Sequence, residues 1–167
     1  MSLISQQRNQ ISETEILQLL ECVHDPEIPS LSIEDLGVLR SARVTDNTVE
    51  VVITPTYSGC PAMDVIEADI VKCLTLNGFR DVLVTTRLAP AWTTEWLTEK
   101  GREILKKSGI APPSRCGNAD FSVNKIIECP MCDSKSVELL SQFGTTACKA
   151  LYRCQKCLEP FDYFKCH

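Results

Sequence analysis

The chain has 167 residues, of which 44% are hydrophobic and 23% charged, and its formal net charge is −5. This length and composition suit one compact domain, or one domain with a small additional module. Lysine and arginine are scattered rather than clustered, which argues against a nucleic-acid partner because no basic patch would neutralise phosphates. Apolar runs are short and the first ten residues lack the order of a signal peptide, so we expect no membrane partner and a cytoplasmic location.

Ten cysteines are distributed unevenly: three lie in the first 115 residues and seven in the last 52. In a reducing compartment, clustered thiols favour a metal site over disulfides. The change in cysteine density coincides with a stretch rich in proline, glycine and asparagine at residues 111–118, which should resist regular structure. The sequence therefore predicts two domains, an α/β domain over residues 11–113 and a cysteine-rich domain over residues 114–167.

The first domain has the pattern of alternating helices and strands. Ser12 and Glu15 have capping-box spacing ahead of an apolar helical stripe, and a turn at Asp46-Asn47 separates two alternating apolar runs. These patterns predict an α+β fold with the order α-β-β-α-β-α. The expected elements are a helix after Ser12, strands over 38–44 and 49–54, a helix from Pro61 to Gly78, a strand over 82–88 and a helix over 93–107.

The second domain has three short predicted strands, over 136–143, 149–152 and 161–164. About 50 residues with few large apolar side chains do not readily bury a core alone, so a metal or another cross-link is needed. Two CxxC motifs each present two sulfurs from a tight loop and together predict a β zinc ribbon, with one structural zinc per chain bound by Cys129, Cys132, Cys154 and Cys157. Iron bound as in rubredoxin by the same four thiolates stays open as an alternative.

Four further potential ligands lie outside the CxxC motifs, at Cys116, Cys148, Cys166 and His167. They are interpreted either as a second metal site or as a loop thiol, a sheet thiol and a frayed terminus. The large rings of the ribbon also have two interpretations. Either they form a docking surface for a partner protein, or they pack on the first domain; the rings concerned are Tyr152, Phe161, Tyr163 and Phe164.

Cys60 precedes Pro61 at the predicted start of the second helix. Unpaired N–H groups and the helix dipole favour a thiolate there, so we expect Cys60 to have a pKa below its ordinary value and to be a metal ligand or a nucleophile; an inert cysteine beside a glycine turn is the alternative. Cys22 and Cys73 fall on apolar helical stripes and are predicted core residues. The prolines around Asp25 hold that carboxylate in a rigid turn that could contribute to a site.

Several motifs resemble known families. Asp25-Pro26-Glu27-Ile28-Pro29, Asp35-Leu36-Gly37 and the run from Thr54 to Pro61 are similar to the SufT-like iron-sulfur assembly family. The longer match is to PaaD-like phenylacetate-degradation proteins, and it extends over nearly the whole chain after the first ten residues. It rests on Pro90 to Trp96, Gly109 to Pro113, Phe143 to Cys154 and Phe161 to Cys166.

The resemblance implies a small mixed sheet of the iron-sulfur assembly type followed by the zinc ribbon. It also implies a maturation factor rather than an enzyme, one that assists assembly of iron-sulfur or di-iron centres on the phenylacetyl-CoA epoxidase (ring-1,2-epoxidase) system. The implied transfer residue is Cys60, helped by Asp25 and Thr56, and the implied cargo is transient iron or an iron-sulfur cluster. The implied partners are the oxygenase and reductase components of the epoxidase.

Two other functional classes stay open. The chain could be a structural or regulatory, non-catalytic subunit of the epoxidase complex, in which Cys60 only packs. It could also be a thiol oxidoreductase that uses Cys60, although the absence of a second cysteine beside Cys60 argues against that chemistry.

Overall fold

A computed structural model of the protein describes residues 12–45, 48–113 and 126–165. The described helices are α1 (Glu13–Leu20), α2 (Ala62–Leu76) and α3 (Glu99–Lys107). The described strands are β1 (His24–Asp25), β2 (Ile28–Ser32), β3 (Leu39–Thr45), β4 (Thr48–Ile53), β5 (Asp81–Thr86), β6 (Ile110–Ala111), β7 (Val137–Ser141), β8 (Lys149–Cys154) and β9 (Pro160–Phe164). The expected α+β class is confirmed. The predicted turn at Asp46-Asn47 lies outside the described residues.

The first helix begins where its capping signal predicts. The Ser12 hydroxyl accepts a hydrogen bond from the Glu15 N–H at 3.3 Å, and the Glu15 carboxylate accepts one from the Ser12 N–H at 2.7 Å. Ile16 and Leu20 are fully buried on the inner face of α1. The capping box thus fixes the start of the helix, and two apolar residues one turn apart fix which face meets the core.

A three-stranded mixed sheet carries the first domain. β3 pairs antiparallel with β4, and β4 pairs parallel with β5, because the α2 helix returns the chain to the same end of the sheet. One face of this sheet packs against the helices, and the residues that bury it are Ala42, Val49, Val51 and Ile53 from the strands with Ile66, Ile70 and Leu74 from α2. The segment after β4 therefore enters α2 at one edge of this core.

Residues 93–107 are not one continuous helix, so that prediction is wrong. Thr93 begins a single 3₁₀ turn over Thr94–Trp96, Leu97 is extended, and α3 starts only after Thr98. The reason is that Thr93 and Thr98 both act as N-caps, each accepting a backbone N–H, and the second cap restarts the helix. The short strands β1, β2 and β6 were not predicted, since a two-residue strand or one containing Pro29 has no clear alternating pattern.

Asp35 ties the loop before β3 to the start of α3. Its carboxylate accepts hydrogen bonds from the Ser32 and Thr98 hydroxyls and lies 2.8 Å from the Lys100 ammonium. The backbones approach so closely there that a Cβ at Gly101 would lie 2.6 Å from the Asp35 carbonyl oxygen. A side chain at Gly101 would therefore push the two segments apart.

The ribbon sheet includes a strand from the predicted first domain. Its strand order is β6-β9-β8-β7, and β6 pairs parallel with β9. The Trp92 and Phe164 rings also meet, with centroids 5.9 Å apart, and the Lys106 ammonium lies 2.6 Å from the Asp133 carboxylate. The predicted division after residue 113 stays a prediction, but the residues on its two sides are packed together. No helix in the described ranges is long and apolar enough to cross a membrane.

The ribbon rings do not form an exposed docking surface. Phe161, Tyr163 and Phe164 are at most 4% exposed, and Tyr152 is half-buried against two of them. Phe164 belongs to the buried cluster of the first domain, as the second interpretation of these rings predicted. The docking interpretation is wrong because Phe161 and Tyr163 are buried in the cluster of the ribbon, to which β6 contributes Ala111, and because Phe164 packs on Trp92.

Candidate metal centres

The two CxxC motifs form matching loops. In the first loop Cys129 donates its N–H to the Ser134 carbonyl and accepts the Asp133 N–H at its own carbonyl. In the second, Cys154 bonds in the same way to Glu159 and Leu158. The residue four positions after the first cysteine has a positive φ in both loops, 57° at Asp133 and 67° at Leu158. Each loop is thus a knuckle that turns both of its sulfurs to one side.

The four thiols of the knuckles converge on one point. Their sulfur atoms all lie within 4.8 Å of one another, with Cys129–Cys157 at 3.7 Å and Cys132–Cys154 at 3.6 Å. With zinc–sulfur bonds of about 2.3 Å, sulfurs at the corners of a tetrahedron lie about 3.8 Å apart, so the residues fit zinc. Among the residues described, this is the only group of three or more potential ligands so tightly assembled.

Backbone N–H groups prepare one of these thiols for metal binding. The Cys157 and Lys156 N–H groups point at the Cys154 sulfur, at 3.4 and 3.3 Å. Chiefly through the Cys157 N–H, they lower the pKa of Cys154 to about 6. Since the thiolate is the form that binds metal, these N–H groups favour the ligand state of Cys154 before an ion is bound, whereas, despite the Glu159 N–H, burial and the neighbouring thiols raise the pKa of Cys157 to about 12.

Cys60 lies on the loop between β4 and α2, at the edge of the domain core. It is half-buried, its N–H donates to the Tyr57 carbonyl at 3.2 Å, and the helix begins two residues later at Ala62. Pro61, rather than Cys60, occupies the N-cap position and makes no side-chain capping bond. The structure therefore places Cys60 one residue further from the helix than the sequence indicates.

The pKa of the Cys60 thiol is raised, contrary to the expectation from its helix position. Burial is the main cause, and negative charge at Cys148, Asp25 and Glu27 raises the pKa further. The Ala62 N–H favours the thiolate but does not compensate. The free thiol is thus the preferred state, and a metal has to displace its proton.

Asp25 ends β1 and is 7% exposed. Its Oδ1 atom accepts the N–H groups of Glu27 and Ile28 at 2.8 and 2.9 Å, which forms the rigid turn expected from the flanking prolines. Burial raises the pKa of Asp25, while these N–H groups and the charge of Lys149 lower it. No described residue donates a hydrogen bond to Oδ2, so that oxygen stays available as a ligand.

Thr56, the third predicted transfer residue, is 8% exposed, and within the described ranges its hydroxyl makes no hydrogen bond. Its placement on the Cys60 loop follows from the sequence, but no hydrogen bond within the described ranges joins its side chain to Cys60 or Asp25. Its role in transfer stays a prediction.

Sequence reasoning did not connect Cys148 and Lys149 with Cys60. Cys148 immediately precedes β8, is 6% exposed, and has its sulfur 3.0 Å from the Thr146 hydroxyl. Lys149 is 4% exposed, and its charge acts on both Cys148 and Asp25. Cys148 belongs to no short motif, so its spacing in the sequence does not indicate a relation to Cys60. The other proposed members of a second metal site, Cys116, Cys166 and His167, lie outside the described residues.

The remaining two thiols form a pair. Cys73 is buried on α2 as predicted, but Cys22 is exposed just beyond the end of α1, so its assignment to the core is wrong. The apolar stripe continues past the point where the helix ends. Their sulfur atoms lie 3.1 Å apart, and burial together with Cys22 raises the pKa of Cys73 to about 12.

Comparison with known proteins gives concordant matches. A family model described as the PaaD zinc beta ribbon domain matches residues 113–165, and one described as an iron-sulfur cluster assembly protein matches residues 13–86. The chain is 47% identical over 152 residues to an Escherichia coli (strain K12) protein named as a 1,2-phenylacetyl-CoA epoxidase subunit, covering 91% of this chain and 92% of that protein.

Two further relatives match the first domain. A protein of Porphyromonas gingivalis (strain ATCC BAA-308 / W83), named as an Fe-S protein maturation auxiliary factor, is 33% identical over 91 residues, which are 53% of this chain and 86% of that protein. The crystal structure of a domain of unknown function, DUF59, from Bacillus anthracis aligns with a TM-score of 0.52 at 27% identity over 56% of this chain and 90% of that chain. The predicted assembly-type fold and the predicted ribbon are both confirmed.

Proposed function

The chain belongs to the PaaD-like phenylacetate-degradation proteins, which join an iron-sulfur assembly domain to a zinc ribbon, and we propose that it is a maturation factor for phenylacetyl-CoA epoxidase. It would act in the cytoplasm, where its many thiols stay reduced, and would load iron or an iron-sulfur cluster onto the oxygenase or reductase components. It would perform no epoxidation itself. Support for the maturation role comes from the name of the P. gingivalis relative.

One observation carries this proposal: Cys60 is half-buried on a loop and, among the described residues, is not part of a closed set of ligands, whereas the ribbon thiols are. A site saturated by four protein ligands holds its metal for structure. A site with few ligands keeps positions open to an incoming group. Cys60 and the free oxygen of Asp25 therefore suit a cargo that is passed on.

Transfer would proceed by thiol exchange without oxidation or reduction. A client cysteine thiol forms its bond to iron as the Cys60–iron bond breaks, and the proton of the client thiol passes to the Cys60 sulfur. Because burial and nearby negative charge raise the pKa of Cys60, the departing sulfur takes up that proton readily. Thr56, on the same loop, would help Cys60 to hold the iron through its hydroxyl.

The zinc ion would be held by Cys129, Cys132, Cys154 and Cys157 and would supply folding energy to the ribbon. It would not exchange with clients, because four thiolates complete its coordination and two of them, Cys129 and Cys154, are fully buried.

Cys60→Ser tests the proposal in a strain whose own copy of the gene is deleted. The variant should keep its stability within about 1 kcal/mol, since Cys60 closes no structural site and serine has nearly the same shape. It should nevertheless fail to restore growth on phenylacetate, and the epoxidase purified from that strain should be deficient in iron. Cys22→Ser, which removes an exposed thiol that contacts Cys73 instead, is the matched control and should restore growth.

Wild-type growth with a fully metallated epoxidase in the Cys60→Ser strain would contradict the maturation role. The name of the E. coli relative favours the second candidate, a structural or regulatory subunit. That candidate predicts stable co-purification with the oxygenase and no effect of replacing Cys60. The two functions thus give opposite results in the same strain.

A further inference from the structure

The buried residues of the chain form two clusters, and one cysteine of the ribbon belongs to the cluster of the first domain. The ribbon cluster contains Cys129 and Cys154, whereas Cys148 is buried with the core of the α/β domain, the same cluster against which Cys60 packs. Within the described residues after 125, Phe164 is the other member of that domain cluster. Cys148 is held in place because its carbonyl accepts the Lys165 N–H at 2.9 Å.

Cys148 and Cys60 also share their charged surroundings. Beyond the effect of burial, negative charge at Asp25 and Glu27 raises the pKa of both thiols, and negative charge at Cys148 also raises the pKa of Cys60. Burial raises the pKa of the Tyr57 hydroxyl, and negative charge at both thiols raises it further. The Tyr57 side chain packs against the same cluster. Two thiols that come from different modules are therefore within electrostatic range of each other and of one buried carboxylate.

A buried ammonium at this place has no carboxylate within hydrogen-bond distance among the described residues. Lys149 is 4% exposed, yet the nearest carboxylate oxygen to its ammonium, on Asp162, is 3.9 Å away and outside hydrogen-bond distance. Burying an ammonium without a close anion is costly, so an anionic group is expected to compensate it. The charge of Lys149 acts on Cys148 and Asp25, the two groups that would be anionic once metal displaces the proton from the thiol.

We propose that Cys148 is the second thiolate ligand of the cargo held at Cys60, so that iron is bound between the ribbon and the assembly domain. This inference rests on the proposed maturation function. Two thiolates and the Asp25 carboxylate opposite the Lys149 ammonium leave two negative charges, which a ferrous ion or a [2Fe–2S] core with two positive charges neutralises.

The test uses the full, zinc-loaded chain under anaerobic conditions, with ferrous iron alone in one arm and ferric iron with sulfide in the other, because the [2Fe–2S] core with two positive charges contains two ferric ions. Cys148→Ser should keep one zinc per chain and its melting temperature, but should bind the iron at least about tenfold more weakly than wild type in the arm that loads it, as loss of a ligand requires. Cys22→Ser should match wild type. Wild-type iron binding by both Cys148→Ser and Cys148→Ala would overturn the inference.

A second measurement needs no variant. The iron-loaded and iron-free wild-type chains are alkylated with a small uncharged reagent, and the modified cysteines are mapped by peptide mass spectrometry. Bound iron should slow modification of both Cys60 and Cys148, while protection of Cys60 alone would contradict the two-thiolate site. Failure of the proposed function itself looks different, because then Cys60→Ser would bind iron as wild type does.

Discussion

The two modules of this chain are stabilised by different means. The first domain buries more than twenty residues in one apolar cluster and needs no metal for it, whereas the buried cluster of the ribbon has seven residues, two of which are cysteine ligands. We therefore expect the ribbon to depend on a metal to fold, and not to release that metal without unfolding. We expect the assembly domain to fold without help from Cys60, which would leave that thiol free to take up and release the proposed cargo.

The difference also shows what a cysteine spacing does and does not indicate. In the ribbon the ligands are close in sequence, and their pairs are shaped by local hydrogen bonds within each knuckle. Around Cys60 the potential ligands come from β1, from the loop before α2 and from the start of β8. The four-cysteine site is thus recognisable from a sequence motif, whereas the exchange site that we propose around Cys60 would be assembled only by tertiary packing.

Zinc removal should give the largest effect. Because structural zinc in such small sites contributes about 10 to 16 kcal/mol, a strong chelator should unfold the ribbon while the helices of residues 12–113 remain. Trp92 reports the event, since its ring loses contact with Phe164. We expect a shift in tryptophan fluorescence with little loss of helical circular dichroism, and Cys129→Ser should behave in the same way. Simultaneous loss of helix would show that the domain depends on the ribbon.

Replacing Asp35 should destabilise the first domain without affecting zinc. Asp35→Ala leaves the Ser32 and Thr98 hydroxyls and the Lys100 ammonium without their acceptor, which should cost about 2 to 3 kcal/mol. Glu34→Ala, which removes the neighbouring exposed carboxylate, should change stability by less than about 0.5 kcal/mol. Urea unfolding and zinc analysis of both variants provide the measurement. Loss of zinc from Asp35→Ala would mean that the two modules do not unfold independently.

Local signals predicted much of this architecture. The capping box set the start of α1, alternation set β3 and β4, and the proline before Ala62 set α2. Predictions failed where tertiary packing decides the outcome. The pKa of Cys60 is raised by burial, and further by negative charge at Cys148 of the ribbon and at Asp25 of β1, and neither of these residues is close to Cys60 in sequence. Likewise, Phe164 is covered by Trp92.

Asp25→Asn should separate function from stability. Burial raises the pKa of Asp25, so the folded chain holds this proton to a higher pH than the unfolded chain does. The contribution of this proton to the stability of the fold is complete below the pKa of Asp25 in the unfolded chain, and it is lost as the pH rises through the pKa of Asp25 in the folded chain. The ionised carboxylate therefore destabilises the fold at neutral pH. Asparagine is neutral and accepts the same two N–H bonds. The variant should therefore melt above wild type at neutral pH.

The advantage of Asp25→Asn should vanish below about pH 4, where the carboxylate is protonated in both states. Iron uptake should fall at the same time, because an amide is a poorer ligand than a carboxylate. Thermal melts across this pH range, with iron binding measured at neutral pH, test both parts. An unchanged or lower melting temperature at neutral pH would show that the hydrogen bonds and Lys149 outweigh the burial of Asp25.

The smallest effect is expected at the knuckle residues with positive φ. Leu158 is 70% exposed and holds a left-handed conformation that costs a non-glycine residue about 1 to 2 kcal/mol. Glycine removes that strain but gives the unfolded chain more freedom, so Leu158→Gly should gain about 0.5 kcal/mol net. Asp133→Gly is a poorer test because it also removes the ion pair with Lys106.

Competition with a zinc chelator should show about twofold tighter zinc binding by Leu158→Gly, since ribbon folding and zinc binding are linked. Lys156→Gly, in the same knuckle but without a positive φ, should bind zinc more weakly than wild type. Equally weakened zinc binding by Leu158→Gly and Lys156→Gly would contradict this prediction, because it would show that the left-handed conformation of Leu158 costs the knuckle no net free energy.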